Sequence, residues 1–364
     1  MNRPYKITRR QMFMLLIQTQ IGVSVLSLPY DVFRAASRDG WISVILAGIA
    51  SQLIIIILWL ISKRFPNAQW YEILQKTCGK WVGRLFSAAY FLYFCILGSM
   101  VLILYGLSVN VWLMPNTPTW ILLVAMALLG SYLGKENLRI YARVYTFLSV
   151  ILALLLAFLI YAIKDIHPLY VLPVGSSGIG NIMLGVVKSF LSLTGFELIL
   201  LIYPFVQGNA GQKLKTASLA NLFVIVYYVV ATLVCFMFFS PSQISVLPEP
   251  VLYMIKAFNF TVLERVDLLF VSLWTGVVLT SFTSYLFMAS EGLRTLAPPL
   301  NKANAVRITV AVCYVLAILP GQNVVLIQHL NTMLAPVTAM FLIGIPTVVL
   351  GWAMMFRKKE GISS

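Results

Sequence analysis

Apolar stretches of about twenty residues recur from one end of this chain to the other, and they leave it one class of fold. A run of roughly 18 or more apolar residues is long enough to cross the hydrocarbon core of a bilayer as a helix. Inside that core no water is present to satisfy the backbone, so each segment has to bond its own N–H and C=O groups. Ten such segments fit, at about 11–33, 41–62, 83–110, 119–133, 141–163, 180–206, 215–239, 267–290, 304–320 and 331–356. With 60% apolar and only 10% charged residues, the 364-residue chain has no room for a separate soluble domain. The expected architecture is an all-α polytopic membrane protein, a single transmembrane domain over 1–364. Gln11–Tyr30 follows a basic head (Arg3, Lys6, Arg9, Arg10) but lacks a small-residue cleavage site, so it is read as the first span and not as a leader.

A net charge of +15 would point to nucleic acid in a soluble protein. Here the positions of the charges give it another meaning. With the N-terminus in the cytoplasm, twenty lysines and arginines fall in inner segments. Five (Arg34, Arg38, Lys164, Lys256, Arg265) fall outside, and Lys188 lies in or near a span. That asymmetry is the positive-inside pattern, and it places both ends of the chain on the inner side with no nucleic-acid partner.

The most awkward residue stands in the most apolar company. Ser189–Pro204, SFLSLTGFELILLIYP, carries Glu197 directly before Leu198–Ile202. A carboxylate there is costly unless it faces protein, water or a partner. Gly195, with Ser192 and Thr194 before it, supplies the backbone freedom and short hydroxyls that a broken helix needs. Lys188, nine residues upstream, either sits at another depth of the same span or snorkels to the outer interface. Span 1 carries a similar interruption, TQIGVSVLSLPY, in which Gly22, Ser24, Ser27 and Pro29 break an apolar run.

Other features fill in the bundle. Asn67–Arg84, with Trp70, Tyr71 and Trp81 among lysines, reads as an interfacial amphipathic helix. Gly98 and Gly106 share one face of span 3 and suit close helix packing. Ser240–Val266 includes VLYMIKAFNF, a short surface helix over the bundle. Span 8 holds Thr280, Ser281, Thr283 and Ser284, whose hydroxyls either bond their own helix carbonyls or face the interior. His167 and His329 are distant in sequence, the four cysteines have no metal-ligand spacing, and no nucleophile–base set can be assembled. The chain is therefore not expected to be an enzyme or to carry a metal or cofactor.

Laid side by side, spans 1–5 and 6–10 each begin with a segment carrying Gly then Pro: Gly22 and Pro29, then Gly195 and Pro204. Five spans per half is an odd number, so the halves run in opposite senses. This is the pattern of a 5+5 inverted repeat, about 11–163 and 180–356, with discontinuous helices 1 and 6 facing each other.

These residues carry a resemblance. YKITRRQ (Tyr5–Gln11), QIGVSVLSLP (Gln20–Pro29), FELILLIYPF around Glu197 and SYLFMASEGL (Ser284–Leu293) resemble the endospore germination permeases. These are the integral-membrane B subunits of nutrient germinant receptors, within the amino acid–polyamine–organocation transporter superfamily. The resemblance covers nearly the whole chain. It implies a sensor in the inner membrane of a dormant spore, working with an A subunit and a lipoprotein C subunit and responding to a small nutrient such as an amino acid. Carried across residue by residue, it implies ligand contacts at Gln20, Gly22, Val23 and Ser24, at Gly98 and Val101, and at Ser192, Thr194, Gly195 and Phe196. Thr280 and Ser284 complete the set, with Glu197 and Lys188 as gate or ion-path residues. The superfamily usually has two glycines at its first break, whereas this chain has Gly22 followed by Val23 and Ser24. The competing reading is a proton- or cation-coupled amino-acid transporter, and ion conduction is compatible with the sensor.

Overall fold

The structure, a computed structural model, describes residues 6–258, 265–321 and 323–356. The sequence features at Tyr5, Asn259–Phe260 and Arg357–Lys359 lie outside them. Among the described residues the chain is helical, and one isolated bridge pairs Ile7 with Val206. Among the described residues six helices are long and apolar enough to cross a membrane, and a seventh span results if a pair bent by 47° is counted as one.

Two interrupted helices organise the rest. The first opens with α1 (Arg9–Gln20), capped by a reciprocal box in which Thr8 Oγ1 accepts from the Gln11 N–H and Gln11 Oε1 from the Thr8 N–H. It leaves helical geometry at Ile21, where φ is −90° and ψ 91°, and resumes as α2 (Ser24–Ala36). The sequence puts Pro29 among the interruptions, but α2 runs straight through it. The ring removes a single hydrogen bond to the previous turn, and the helix tolerates that loss. The break is made by Ile21–Val23.

Helices α3 (Gly40–Arg64) and α4 (Trp70–Cys78) follow, then α5 (Lys80–Trp112), α6 (Thr119–Gly134) and α7 (Leu138–Ala162). Helix α4 is amphipathic, as its sequence predicts. Its apolar face, with Trp70, Tyr71, Ile73 and Leu74 all buried, is pressed against protein instead of lying in lipid. The Tyr71 hydroxyl donates to the Met288 carbonyl at 2.6 Å. Lys80–Arg84 already belong to α5, whose 33 residues extend about 50 Å.

The second interrupted helix comprises α8 (Gly178–Ser192), a break at Leu193–Gly195, a 3₁₀ turn (Phe196–Leu198), α9 (Ile199–Ile202) and a second 3₁₀ turn (Tyr203–Phe205). Then come α10 (Ala210–Phe238), the short α11 (Pro241–Ile244) and α12 (Pro250–Lys256), α13 (Val266–Leu296) and α14 (Lys302–Ile318). Helix α15 (Val324–Ala339) passes through a five-residue π turn (Met340–Gly344) into α16 (Ile345–Met355).

The two interrupted helices are tied at both ends. At one face Asp39 accepts from the Gly175 N–H at 2.7 Å and the Ser177 N–H at 2.9 Å, joining the turn after α2 to the loop before α8. At the other, the Ile7 N–H donates to the Phe205 carbonyl at 2.8 Å and the Gln207 N–H to the Ile7 carbonyl at 3.0 Å. Lys213 Nζ completes that end by donating to the Tyr203 carbonyl at 2.9 Å while lying 4.1 Å from the centre of the Tyr203 ring. Helices α5 and α13 pack along each other and form the wall that both breaks face.

Candidate functional site

A helix that stops inside an apolar bundle leaves carbonyls and amides to be satisfied by something else. At the end of α1 the partners come from other helices. Ser281 Oγ donates to the Gln18 carbonyl at 3.0 Å, and the Tyr228 hydroxyl to the Gln20 carbonyl at 3.1 Å. Thr280 Oγ1 reaches Gln18 Oε1 at 2.8 Å, while Thr19 Oγ1 and Ser284 Oγ are 2.7 Å apart. The hydroxyl cluster of α13 therefore serves the break in α1, and only Thr283 confines itself to a carbonyl of its own helix, that of Leu279 at 2.6 Å.

The second break lies directly against the first. Gly195 has φ +119°, and a Cβ added to it would fall 2.9 Å from the carbonyl carbon and oxygen of Thr19. Gly22 faces the other way, with its Cβ position only 2.6 Å from Ser281 Oγ. Glu197, fully buried, folds back on its own break, where its Oε2 accepts the Gly195 N–H at 2.7 Å. Its Oε1 has no hydrogen-bond partner among the described residues.

Between the breaks is a cavity of about 70 Å³, several times the roughly 10–15 Å³ that one ordered water requires. Its polar side is formed by Gln20, Gly22, Val23 and Ser24 from the first break and Ser192 and Thr194 from the second. Its apolar side is Leu97, Met100, Val101 and Leu104 of α5. Asn331 and Leu334 of α15 and Ser281 and Tyr285 of α13 close it. Two features make it receptive. The N–H groups of Gly22, Val23 and Ser24 open α2 without a hydrogen bond among the described residues, and no side chain caps that end. Gln20 Oε1, buried in the wall, is likewise without a partner. A helix start with bare amides attracts an anionic group, and a buried amide oxygen is an acceptor awaiting a donor.

The sequence matches the family described as "Spore germination protein" over residues 6–350. The chain belongs to that family. Among curated proteins it is similar to spore germination protein GerQB of Bacillus cereus, 29% identical over 290 residues, covering 80% of each chain. It is also similar to spore germination protein A2 of Bacillus subtilis, 25% identical over 317 residues, covering 85% of this chain and 86% of that one. Among solved structures it resembles MhsT, crystallised in complex with L-phenylalanine, with a TM-score of 0.70 at 16% identity, covering 98% of this chain and 91% of that one. The chain shares the fold of that structure, and the family and the long apolar helices make this chain an integral membrane protein.

Of the ligand-contact and gate residues expected from sequence, seven line the cavity: Gln20, Gly22, Val23, Ser24, Val101, Ser192 and Thr194. The others stand behind its wall. Gly98 packs on Cys313 and Tyr285, Gly195 on Thr19, and Phe196 is buried in the core. Thr280 and Ser284 hold the end of α1, as described above. Lys188 is exposed on α8, 3.5 Å from Thr332 Oγ1 on α15. Its charge faces Asp31 of α2, a residue that sequence reasoning passed over. Ser281, Tyr285 and Asn331 were also missed; of these only Ser281 carried a signal, as part of the hydroxyl cluster.

Proposed function

We propose that the chain is the membrane-embedded B subunit of a spore germinant receptor, and that it senses a small nutrient, an α-amino acid, in the cavity between the two breaks. The observation that carries this reading is the pairing of unbonded groups in one small space. The bare amides of Gly22, Val23 and Ser24 suit a carboxylate, and the unpartnered Gln20 Oε1 opposite the end of α8 suits an ammonium. The wall of Leu97, Met100, Val101 and Leu104 favours an uncharged side chain. MhsT, which shares the fold, was solved with L-phenylalanine bound.

In this reading the chain crosses the inner membrane of the spore ten times as a 5+5 inverted repeat, with both ends on the core side. A bound nutrient shifts the bundle by binding one arrangement of the interrupted helices better than the other, and partner A and C subunits read that shift. The transporter fold favours a second reading, a cation-coupled amino-acid carrier. One experiment separates the two: the purified protein in sealed liposomes is tested with labelled amino acids for binding and for accumulation. Saturable binding without accumulation is expected. Accumulation by the lone chain would establish the carrier instead, and no binding of any amino acid would remove the site.

A further inference from the structure

Trp70 and Tyr71 of α4 are buried, whereas Trp81, near the start of α5, is 82% exposed. The corner between the two helices dictates the difference. Gly79, at φ +87°, turns the chain back. Gly83 lets α4 lie directly on α5, for a Cβ there would fall 2.6 Å from Gln75 Cα. That close contact fixes the rotation of α5 and leaves Lys80, Trp81 and Leu85 exposed, with Arg84 half-buried beside them. Leu85 is 70% exposed and Leu92, two turns further along, 52%. At 3.6 residues per turn, positions 81, 85 and 92 lie within about 40° of one another. They form one apolar stripe about 16 Å long, running down a membrane-spanning helix from a pair of cations.

Those cations are uncompensated. Neither Lys80 nor Arg84 has an ion pair or a hydrogen bond among the described residues. The acids of the adjoining helices are engaged elsewhere. Glu72 reaches back to the Gln69 N–H at the opposite end of α4, Glu291 pairs with Arg294 at 2.9 Å, and Asp267 pairs with Arg265 at 2.8 Å. A phosphate matches both an ammonium and a guanidinium, and an indole beside it suits the boundary between headgroups and chains. An acidic peptide could supply the charge, but it would stop at the membrane surface, whereas the stripe continues below it. We infer that the start of α5 holds one anionic phospholipid, in the leaflet on the side of the basic loops. Its phosphate lies between Lys80 and Arg84, its glycerol against the Trp81 indole, and one acyl chain along Leu85 and Leu92. The inference rests on the membrane topology and is independent of the nutrient site.

The test uses the full chain in nanodiscs of phosphatidylcholine. These are doped in parallel with phosphatidylglycerol or phosphatidylcholine bearing a photoreactive diazirine on one chain, and labelled peptides are mapped after illumination. Both probes carry a phosphate, but only phosphatidylglycerol carries a net charge. Label on residues 80–92 should be at least about fivefold higher from the phosphatidylglycerol probe, the factor expected of one cation near an anionic headgroup. Lys80→Gln combined with Arg84→Gln should bring the ratio close to one. Label at Leu128 and Tyr132, exposed on α6, should be equal from both probes in either protein. If the double variant does not fold, high salt on the wild type serves instead and should lower the ratio by screening. Inorganic phosphate in large excess over the probe should leave it unchanged; a ratio it abolishes would assign the cations to a soluble anion and overturn the lipid. Equal labelling of residues 80–92 by the two probes would reduce the stripe to ordinary boundary lipid. A preference that survives the substitutions would place the anionic lipid elsewhere, and no label from either probe would assign the face to a protein partner. Each of these three results overturns the inference.

Discussion

The backbone of Gly195 rests on the backbone of Thr19: a single methyl group added at Gly195 would overlap the Thr19 carbonyl, 2.9 Å away. The two breaks therefore position each other, and the cavity between them exists because one residue has no side chain. Gly195→Ala should be among the most damaging single changes in the chain. A non-glycine residue at φ +119° costs about 1–3 kcal/mol, and overpacking adds about 1–3 kcal/mol more. Folded yield and thermal stability in detergent should drop sharply, while Gly211→Ala, with only its neighbour's Asn209 Oδ1 within contact at 3.6 Å, should leave both near wild type.

Gln20 offers the converse case, a polar atom that stability does not need. Its Nε2 donates to the Leu16 carbonyl at 3.3 Å, but Oε1 has no partner. Gln20→Met keeps the length of the side chain and removes the orphaned acceptor, so stability should change by less than about 1 kcal/mol. Amino-acid affinity should fall tenfold or more. A variant that binds as tightly as wild type would show that Gln20 only lines the wall.

The outline of this site was legible because its causes are local. A glycine with adjacent hydroxyls inside an apolar run marks a break wherever the helix packs, and Thr194–Gly195 and Gly22 both carry that mark. What was not legible depends on helix rotation and on neighbours far along the chain. Tyr285 and Asn331 reach the cavity only because α13 and α15 turn those faces inward. Asp31 is a lone acid at the end of a span until α8 brings Lys188 opposite it. Pro29 misled because a proline mark is local while the outcome is not. Trp70 and Tyr71 misled because the same helical period describes a face laid on lipid and a face buried against α5.

Lys213 closes the far end of the second interrupted helix, and its role is open to direct measurement. Its ammonium, 7% exposed, bonds the Tyr203 carbonyl and lies over the Tyr203 ring. Lys213→Met should remove the charged donor and leave that carbonyl only the longer bond from the Val206 N–H at 3.3 Å, at a cost of about 1–3 kcal/mol. The loss should be local, seen as faster amide exchange at Ile7 and Gln207, whose N–H groups donate to the Phe205 and Ile7 carbonyls. Exchange unchanged at both would show that the Ile7 bridge holds this end alone.

Glu249 fastens the short helix α12 over the bundle, and it should make that attachment sensitive to pH. Its two carboxylate oxygens accept from Ser108 Oγ and Trp112 Nε1 of α5, while Tyr253 packs edge-on against Trp112 with ring centroids 4.7 Å apart. Lys256 Nζ lies 5.8 Å from the Trp112 ring. Burial pushes the Glu249 carboxyl above the usual carboxylate range, and the Ser108 and Trp112 hydrogen bonds only partly offset that. A carboxyl that holds its proton more tightly in the folded state than in the unfolded one contributes stability below its unfolded pKa, and that contribution is lost as pH rises through the folded value. Wild-type thermal stability should therefore decline as pH is raised from about 4 through that window. Glu249→Gln stays neutral throughout and keeps an acceptor for Trp112, so its stability should be flatter over the same range. If the two proteins show parallel pH profiles, Glu249 does not titrate as part of this attachment and the pH response lies elsewhere.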